Sequence, residues 1–182
     1  MREGVEPIAH LGPGFPRRAT RRGDAVIRGA SQEDLPELRR IIVEAFGHST
    51  IHYLIEERFG IVGTRTWNVR KADEIADFFR LKPEQVLVTE IEGRIAGFTT
   101  YDLDDDRKIG VIGNNAVDPS FQERGIGTNQ IQYVLGLMRE KGMRIAEVRT
   151  GLGPEYAPAR RVYEKCGFSP TMESAIYHLS LG

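Results

Sequence analysis

The segment between residues 109 and 141 constrains the fold more than any other part of this sequence. A β-prone run, Ile109–Val117, ends at Asp118-Pro119, and apolar residues then recur at helical spacing over Gly125–Lys141. Gly142 is a typical helix stop. A strand that passes through a short turn into a long amphipathic helix predicts a layered α/β domain.

The turn between that strand and that helix, Gln122–Gly127, has the chemistry of a phosphate site. A helix start leaves about four main-chain N–H groups unpaired and concentrates roughly half a positive charge there. Because Gly125 and Gly127 have no Cβ, a pyrophosphate can approach these amides closely. Arg124 adds a formal charge and Thr128 adds a hydroxyl. A glycine-containing loop that binds no ligand remains the alternative.

The better-known phosphate loops do not fit this turn. The sequence has no Gly-x-x-x-x-Gly-Lys-Ser/Thr, so a nucleoside-triphosphate P-loop is unsupported. The third glycine of Gly-x-Gly-x-x-Gly is also missing, because Gln130 stands at that position. A dinucleotide-binding fold is therefore disfavoured.

Periodicity along the rest of the chain predicts helices first, then an antiparallel meander, and finally alternating strands and helices. Further helices are predicted over Asp34–Phe46, Ile51–Phe59, about Lys71–Arg80, and within Pro154–Cys166. Further strands are predicted over Ala25–Arg28, Val86–Ile91, Arg94–Tyr101, Arg144–Arg149 and Ser174–Leu181. Ser31 and Asp34 form a capping-box-like helix start, and Glu92-Gly93 fits a hairpin turn. We expect Trp67 between two helices and an acidic loop over Asp102–Lys108.

Charge and composition exclude several classes of protein. Lys and Arg number 25 and Asp and Glu number 26, so no global field attracts nucleic acid or an anionic membrane. No apolar run approaches the roughly 20 residues that cross a bilayer, and the first residues lack the apolar stretch of a secretory signal. The one cysteine, Cys166, excludes an internal disulfide. We expect a cytoplasmic protein without nucleic-acid or membrane partners.

The domain organisation follows from a change in composition near residue 23. Residues 1–23 are rich in Pro, Gly and Arg, which predicts a flexible basic arm, and residues 24–182 form the single predicted domain. A nucleic-acid role for Arg17–Arg22 is an alternative that the near-zero net charge disfavours.

Two motifs give the turn a family context. Residues 116–127, Ala-Val-Asp-Pro-Ser-Phe-Gln-Glu-Arg-Gly-Ile-Gly, resemble the acetyl-CoA motif of the GNAT acetyltransferase superfamily, an apolar strand ending Val-x-Pro followed by Gln/Arg-x-x-Gly-x-Gly/Ala. Residues 159–168, Ala-Arg-Arg-Val-Tyr-Glu-Lys-Cys-Gly-Phe, are similar to the second motif of that family, Ala-x-x-x-Tyr-Glu-Lys-x-Gly-Phe. The order of elements agrees from about Val86 to Phe168.

The resemblance implies a mostly antiparallel sheet flanked by helices, with central strands that splay apart around acetyl-CoA. The main chain of Val117 would pair with the pantetheine arm, and amides from Arg124 to Thr128 would hold the pyrophosphate. The expected cofactor-binding residues are Val117, Gln122, Arg124, Gly125, Ile126, Gly127, Thr128 and Tyr156. Tyr156 stands where the family often has an asparagine, and its ring could pack against pantetheine.

Tyr163 is the predicted catalytic residue. By the same resemblance it would lie near the thioester sulfur and protonate the departing thiolate, and a phenol is a suitable acid toward a thiolate of comparable basicity. Its place on the apolar stripe with Val162 and Cys166 also fits a core residue. We interpret Cys166 as core filling, because no histidine partner is recognisable.

The group that accepts the proton of an amine substrate is not identified by the sequence. The family often uses a strand glutamate, but Ile109–Val117 contains no carboxylate. Asn114 and Asn115 face opposite sides of a regular strand, so one of them should face the substrate cleft. Other candidate proton acceptors are His52, Glu90, Asp102, Asp104, Asp105 and Asp106. Candidate acceptor contacts are His48, His52, Tyr53 and Trp67.

The leading hypothesis is an enzyme that moves an acetyl group from acetyl-CoA to a primary amine of a small molecule or protein, without a metal. The alternative is an acyl-CoA-binding sensor that has lost turnover, which the missing strand carboxylate favours and Tyr163 disfavours. The sequence leaves the amine acceptor and the formation of a homodimer open.

Overall fold

The computed structural model of the chain describes residues 18–20 and 25–181. Its strands are β1 Arg18–Thr20, β2 Ala25–Gly29, β3 Val86–Ile91, β4 Arg94–Asp104, β5 Ile109–Val117 and β6 Ile145–Val148. Its α-helices are α1 Leu35–Phe46, α2 Ile51–Phe59, α3 Trp67–Leu81, α4 Ile126–Glu140 and α5 Ala157–Lys165.

All of these strands join in one sheet, in the order β1-β2-β3-β4-β5-β6. Neighbouring strands from β1 to β5 are antiparallel, and only β6 runs parallel to its neighbour β5. The β3–β4 hairpin turns at Glu92 and Gly93, whose φ angles of 50° and 74° are those of a two-residue hairpin turn. The mixed, mostly antiparallel α/β sheet predicted from the sequence is confirmed.

Helices α1 and α3 cover one face of the sheet. Leu38, Ile41 and Ile42 of α1 and Ile75 and Phe79 of α3 are buried against strand residues of β3, β4 and β5. The helical spacing of these residues made the two helices predictable, because an amphipathic helix is stable mainly through the apolar face that it buries.

Helix α4 covers the other face, and α5 lies beside it. Ile131, Val134 and Met138 of α4 pack on strand residues that include Tyr101 and Ile112. Helix α5 adds only partly buried side chains to this second core. No residue of α5 is fully buried, so α5 buries less of its side-chain surface than α1 and α3 do in the other layer.

The predicted helix starts are confirmed at two places. The main-chain N–H of Ser31 donates to the Asp34 carboxylate over 2.7 Å, as a capping box requires, just before α1. The Thr50 hydroxyl accepts the N–H of Tyr53 over 3.1 Å and so caps α2, which spans the predicted residues.

Three expectations about element boundaries are wrong. Trp67 is the first residue of α3 rather than part of the preceding loop. Strand β4 continues through Asp102 to Asp104, because these acidic residues pair with β5 and leave their side chains at the surface, so only residues 105–108 form the loop. The predicted strand over Ser174–Leu181 is absent, since these residues form no ladder with any of the described strands.

The predicted basic arm falls mostly outside the described residues. Its Arg18–Thr20 pairs with β2, whereas residues 1–17 and 21–24, which include Arg17, Arg21 and Arg22, are not described. Within the described ranges, no helix is long and apolar enough to cross a membrane.

Candidate active site

Strands β5 and β6 part halfway along their length. They pair from Ile109 with Ile145 to Ile112 with Val148, where β6 ends. Strand β5 continues for five more residues, Gly113–Val117, whose other edge is paired with β4. Among the described residues, no strand pairs with the edge of Gly113–Val117 that faces away from β4, so its N–H and C=O groups can pair with an extended ligand.

An irregularity in β5 sets the direction of the two asparagines. The β4–β5 register shifts between Thr99 and Tyr101. Here the N–H of Asn114 donates to the Thr100 hydroxyl over 2.8 Å. A Cβ on Gly113 would lie 2.5 Å from that hydroxyl, which explains the glycine.

Asn114 and Asn115 point to opposite faces of the sheet, as predicted. The Asn115 amide donates to the main-chain oxygen of Gly127 in α4 over 3.3 Å. The Asn114 side-chain oxygen accepts from the Lys71 ammonium of α3 over 3.4 Å. One asparagine thus contacts the helix that follows β5, and the other contacts the helical layer on the opposite face.

Asp118 fixes the turn that follows β5. Its carboxylate is buried, accepts the N–H of Ser120 over 2.7 Å, and pairs with the Arg40 guanidinium of α1. Burial raises the pKa of Asp118, but the hydrogen bonds from Ser120 and Arg40 outweigh this effect and leave the pKa below its usual range. The turn is thereby tied to the helical layer on the other side of the sheet.

The start of α4 presents main-chain N–H groups, as a phosphate site requires. Glu123 and Gly125 adopt φ angles of 63° and 79°, so the chain enters the helix through left-handed residues. The first helical hydrogen bond runs from the N–H of Asn129 to Gly125 over 3.0 Å. The N–H groups of residues 126–128 precede it and stay available to an anion.

The predicted site residues of this turn lie together. Gly127 packs against β5, since a Cβ there would be 3.5 Å from the Asn115 amide and 3.6 Å from the Val117 side chain. The Gln122 amide donates to the main-chain oxygen of Val117 over 3.5 Å, and Thr128 lies one residue beyond Gly127. Ile126 is buried and anchors the helix start in a small apolar cluster.

Two cations flank the turn. The guanidinium carbons of Arg94 and Arg124 lie 4.9 Å and 5.2 Å from the centroid of the buried Phe121 ring. Arg124 was predicted as a phosphate contact, whereas Arg94, at the start of β4, was not. Both charges add to the positive end of α4 and favour an anion at the turn.

Tyr163 lies on α5, against the core under α4. Its ring meets the Phe168 ring edge to face, with centroids 6.1 Å apart, and packs against the core under α4. One turn further on, the Cys166 thiol is 4.0 Å from the main-chain oxygen of Thr128. Among the described residues, no group forms a hydrogen bond with the Tyr163 hydroxyl. Burial raises the pKa of Tyr163, which keeps the phenol protonated.

Tyr156 connects the start of α5 to the turn between α1 and α2. Its hydroxyl donates to the main-chain oxygen of Ser49, in the turn between α1 and α2. Burial raises the pKa of Tyr156, with a smaller contribution from Glu155. The ring lies over Gly151, where a side chain would clash with it. The structure therefore gives Tyr156 a bridging contact that was not predicted, and its cofactor contact stays a prediction.

A chain of polar side chains runs from Asn114 across the helical layer. Lys71, only 7% exposed, donates to the Glu74 carboxylate over 2.5 Å and lies 4.3 Å above the Phe46 ring. The other carboxylate oxygen of Glu74 is 2.8 Å from His52 Nε2. These contacts bring a carboxylate and an imidazole close to the part of β5 that has no acid of its own.

A cluster of aromatic side chains lies near the His52 end of this polar chain. His48 stacks on Tyr53 with ring centroids 4.1 Å apart, and Trp67 meets both rings edge to face. A cavity of about 220 Å³ opens beside them. Its lining residues are His52, Ile55, Glu56, Gly60, Val62, Arg65 and Arg70. Each of the predicted acceptor contacts thus belongs to one cluster or to this cavity.

The other predicted proton acceptors lie elsewhere. Asp104, Asp105 and Asp106 are at the β4–β5 hairpin, which is separated from Val117 by the length of β5, about 25 Å at 3.3 Å per residue. Asp102 is paired with Lys82, and Glu90 is paired with Arg28 of β2. Of the predicted proton acceptors, only His52 belongs to the polar chain.

Lys71 and Glu74 are site residues that the sequence analysis missed. Lys71 occupies the buried stripe of α3 with Ala72, Ile75 and Phe79. A lysine on an apolar stripe is unusual unless it is paired, and this was the available indication. Among the described residues, no cluster of His, Cys, Asp and Glu could hold a metal ion.

Comparisons with known proteins agree with this geometry. The acetyltransferase (GNAT) family model matches residues 39–168, more than half of the 182-residue chain. An uncharacterized N-acetyltransferase of Methanocaldococcus jannaschii is 26% identical over 150 residues, which are 78% of this chain and 59% of that relative. The chain thus spans less than two thirds of the relative's length.

Solved structures share the fold. The ribosomal-protein-S18-alanine N-acetyltransferase of Escherichia coli superposes with a TM-score of 0.59 at 17% identity, covering 81% of this chain and 79% of that chain. The PaiA N-acetyltransferase of Thermoplasma acidophilum, in complex with coenzyme A, gives 0.64 at 16% identity, covering 80% and 90%. The chain belongs to the GNAT acetyltransferase family, and with it to the acyltransferase enzymes.

Proposed function

We propose that the protein transfers an acetyl group from acetyl-CoA to a primary amine of a small molecule or peptide. The observation that carries this proposal is the open edge of Gly113–Val117, which leads directly to the N–H groups at the start of α4. An extended amide-bearing arm can pair with the strand edge while its attached phosphates reach the helix start.

On the donor side, the main chain of Val117 pairs with pantetheine and the amides of residues 124–128 hold the pyrophosphate. Arg124 and Arg94 add charge beside that anion, and Gln122 braces the main chain of Val117. Gly125 supplies the left-handed conformation, so the amides can converge on one anion. A site of this kind needs no excess positive charge on the whole protein.

Tyr163 acts as the general acid. As the amine nitrogen attacks the thioester carbonyl, the C–N bond forms, the C–S bond breaks, and the sulfur leaves as a thiolate. The Tyr163 hydroxyl, which has no hydrogen-bond partner among the described residues, donates its proton to that sulfur. The raised pKa of Tyr163 keeps this proton in place at neutral pH.

Glu74 and His52 accept the proton of the amine. The Lys71 ammonium donates to both Glu74 and Asn114, and it therefore holds Glu74 near β5. In this position Glu74 and His52 replace the strand carboxylate that β5 lacks. The 2.8 Å contact between Glu74 and His52 Nε2 provides a path from the site to the cavity. Asn114 and Asn115 then serve to orient the acceptor and the strand rather than to move a proton.

The acceptor approaches from the cavity beside His52. Its wall includes Glu56, Arg65 and Arg70, and the aromatic cluster of His48, Tyr53 and Trp67 lies outside this lining. Arg65 is paired with Asp73, and Arg70 donates to the main-chain oxygens of Arg65 and Val62. Because a carboxylate and ring faces attract an ammonium group, the entrance suits a primary amine that is protonated in solution.

Two measurements test the proposal. Calorimetry with acetyl-CoA should show binding in the micromolar range, and an amine panel assayed for free thiol should identify at least one acceptor. Absence of acetyl-CoA binding at high micromolar concentration would overturn the donor site. Binding without thiol release from any amine would instead support the acyl-CoA sensor.

A further inference from the structure

The cavity beside His52 carries more positive than negative charge on its wall. Arg65 and Arg70 both line it, and among the described residues of the lining only Glu56 carries a carboxylate. A guanidinium stays protonated throughout the physiological range of pH, so each of these arginines adds a permanent positive charge. The way in which these charges are paired indicates what a ligand in the cavity should carry.

Arg65 shares its carboxylate partner with a second arginine. Its Nη1 donates to one oxygen of Asp73 over 2.8 Å, and Arg39 Nη2 donates to the other oxygen over 2.9 Å. One negative charge therefore faces two positive charges. Within the described part of the chain, Nε and Nη2 of Arg65 donate no hydrogen bond. Arg65 lines the cavity, whereas Arg39 does not.

Arg70 is held in place by groups without a formal charge. Its Nη2 donates to the main-chain oxygen of Val62 over 2.6 Å, and its Nε donates to that of Arg65 over 3.1 Å. The loop comes this close because Gly63 has no side chain, since a Cβ there would lie 3.2 Å from Arg70 Nη2. The charge of Arg70 is thus fixed in position but is not neutralised, which lowers the cost of binding an anion.

Glu56 does not balance these cations. Its Oε2 accepts the main-chain N–H of Trp67 over 2.6 Å, at the positive end of α3, where a carboxylate is already favoured. Glu56 and Asp73 together offset two positive charges, and the three arginines described above supply three. One positive charge remains beside the cavity.

The cavity also reaches the polar chain that leads to β5. His52 lines the cavity, and its Nε2 is 2.8 Å from a carboxylate oxygen of Glu74. Lys71 links that carboxylate to Asn114 of β5, and Glu74 itself does not line the cavity. An acceptor that enters by the cavity and brings its amine to Glu74 can therefore place its other end beside the arginines.

We propose that the acceptor of the acetyl group carries a carboxylate, which Arg65 and Arg70 bind, at the end opposite its amine. This inference rests on the proposed function, because it names the class of acceptor for the same site. The free Nε and Nη2 of Arg65 form a planar edge that matches the two oxygens of a carboxylate. Since Glu74 lies outside the cavity and the arginines line it, a spacer separates the two groups, as in an ω-amino acid.

The test compares ω-amino acids, from β-alanine to ε-aminocaproate, with alkylamines of the same chain length. Free thiol released from acetyl-CoA by the full chain gives kcat/KM for each compound. We expect the best amino acid to exceed its matched alkylamine at least tenfold, the effect of one charge-assisted hydrogen bond. An equal or lower kcat/KM for every amino acid would overturn this inference and leave the proposed function standing.

Variants of two arginines with the same partner locate the preference. Arg65→Gln should lower the ratio of the two kcat/KM values about tenfold through a higher KM for the amino acid, and Arg65→Lys should restore part of it. Arg39→Gln is the matched control, because Arg39 also pairs with Asp73 but lies outside the cavity lining, and it should keep the ratio. A ratio that is the same in Arg65→Gln as in the unaltered protein would contradict the assignment.

Calorimetry in the presence of coenzyme A measures the same preference without turnover. The amino acid should bind more tightly than its matched alkylamine, and Arg65→Gln should remove the difference. Carboxylate-dependent binding without thiol release from any amine would overturn the proposed function, and with it the role of this site in acceptor recognition. Failure of the acceptor class and failure of the enzymatic function are therefore distinguishable.

Discussion

The two sides of the candidate site differ in the groups that they present: one presents main-chain groups and the other presents side chains. The donor side, from the open edge of β5 to the start of α4, offers main-chain groups whose directions are set by Gly125 and Glu123. The acceptor side, between α2, α3 and Asn114, offers side chains in a polar chain and an aromatic cluster. One side recognises a ligand through conformation, and the other does so through the identity of its residues.

This difference explains how the two sides can change independently. A main-chain site tolerates any substitution that keeps the backbone conformation. At the positions with a left-handed backbone, however, it requires glycine or a similarly permissive residue. A side-chain site can be rebuilt one residue at a time on the same helices. In the proposed function, the fold therefore fixes the donor, whereas residues such as Lys71 and Glu74 set the acceptor.

The largest effect should come from Tyr163→Phe, the one donor-side change that removes a reacting group. We expect turnover to fall about 1000-fold, within the range that general acid catalysis contributes. The affinity for acetyl-CoA should stay nearly unchanged, because the ring packing with Phe168 is kept. Steady-state kinetics and calorimetry on the same preparation measure both quantities. Unchanged turnover, with the chemical step shown to be slow, would remove Tyr163 from the mechanism.

Glu74→Gln should have the next largest effect and should leave the donor side intact. Turnover should fall about 100-fold because the amide no longer accepts a proton, while acetyl-CoA affinity should be unaffected. Asp73→Asn is a matched control on the same helix, since Asp73 pairs only with the exposed Arg39 and Arg65. If both variants lose turnover equally, the role of Glu74 in proton transfer is wrong.

Gly125→Ala tests whether the donor side depends on conformation. A side chain at a φ of 79° should cost about 1–2 kcal/mol and weaken acetyl-CoA binding about tenfold as the amides turn away. Gly136→Ala, within α4 and with open space around it, should instead stabilise the protein by about 1 kcal/mol. Thermal unfolding and calorimetry compare the two. Equal effects at both glycines would argue against a conformational requirement at Gly125.

Arg124→Ala should have the smallest effect, because this side chain is exposed and its charge is screened. We expect acetyl-CoA binding to weaken roughly two- to fivefold at low salt, and the difference should vanish at high salt. Arg139→Ala, in the last turn of α4, serves as the control of equal charge. A salt-independent loss would mean that Arg124 shapes the turn rather than adding charge.

The donor side was predictable because its geometry restricts the sequence. Left-handed Gly125 and the turn residue Asp118 leave few alternatives at their positions, so the motif is visible without a structure. Arg94 was missed because it reaches the turn from another strand, through the ring of Phe121. Contacts between distant segments leave no pattern in a single sequence.

The acceptor side and the last predicted strand were harder for two separate reasons. Glu74 has the spacing of an ordinary surface residue on an amphipathic helix, and only its contacts with His52 and Lys71 distinguish it. The alternation over Ser174–Leu181 was identified correctly, but a strand also needs an edge to pair with. In the structure, residues 174–181 form no ladder with any of the described strands.

The parting of β5 from β6 also limits how tightly a thioester can be held there. Unpaired strand groups next to solvent are hydrated, so each new hydrogen bond to a ligand contributes only about 0.5–1.5 kcal/mol net. A micromolar complex needs about 8 kcal/mol, which a few such bonds do not supply. In the proposed complex, the strand edge therefore sets the alignment of the reacting carbon, and the phosphates of coenzyme A supply most of the affinity. Short thioesters without phosphates should be poor donors, whatever acyl group they contain.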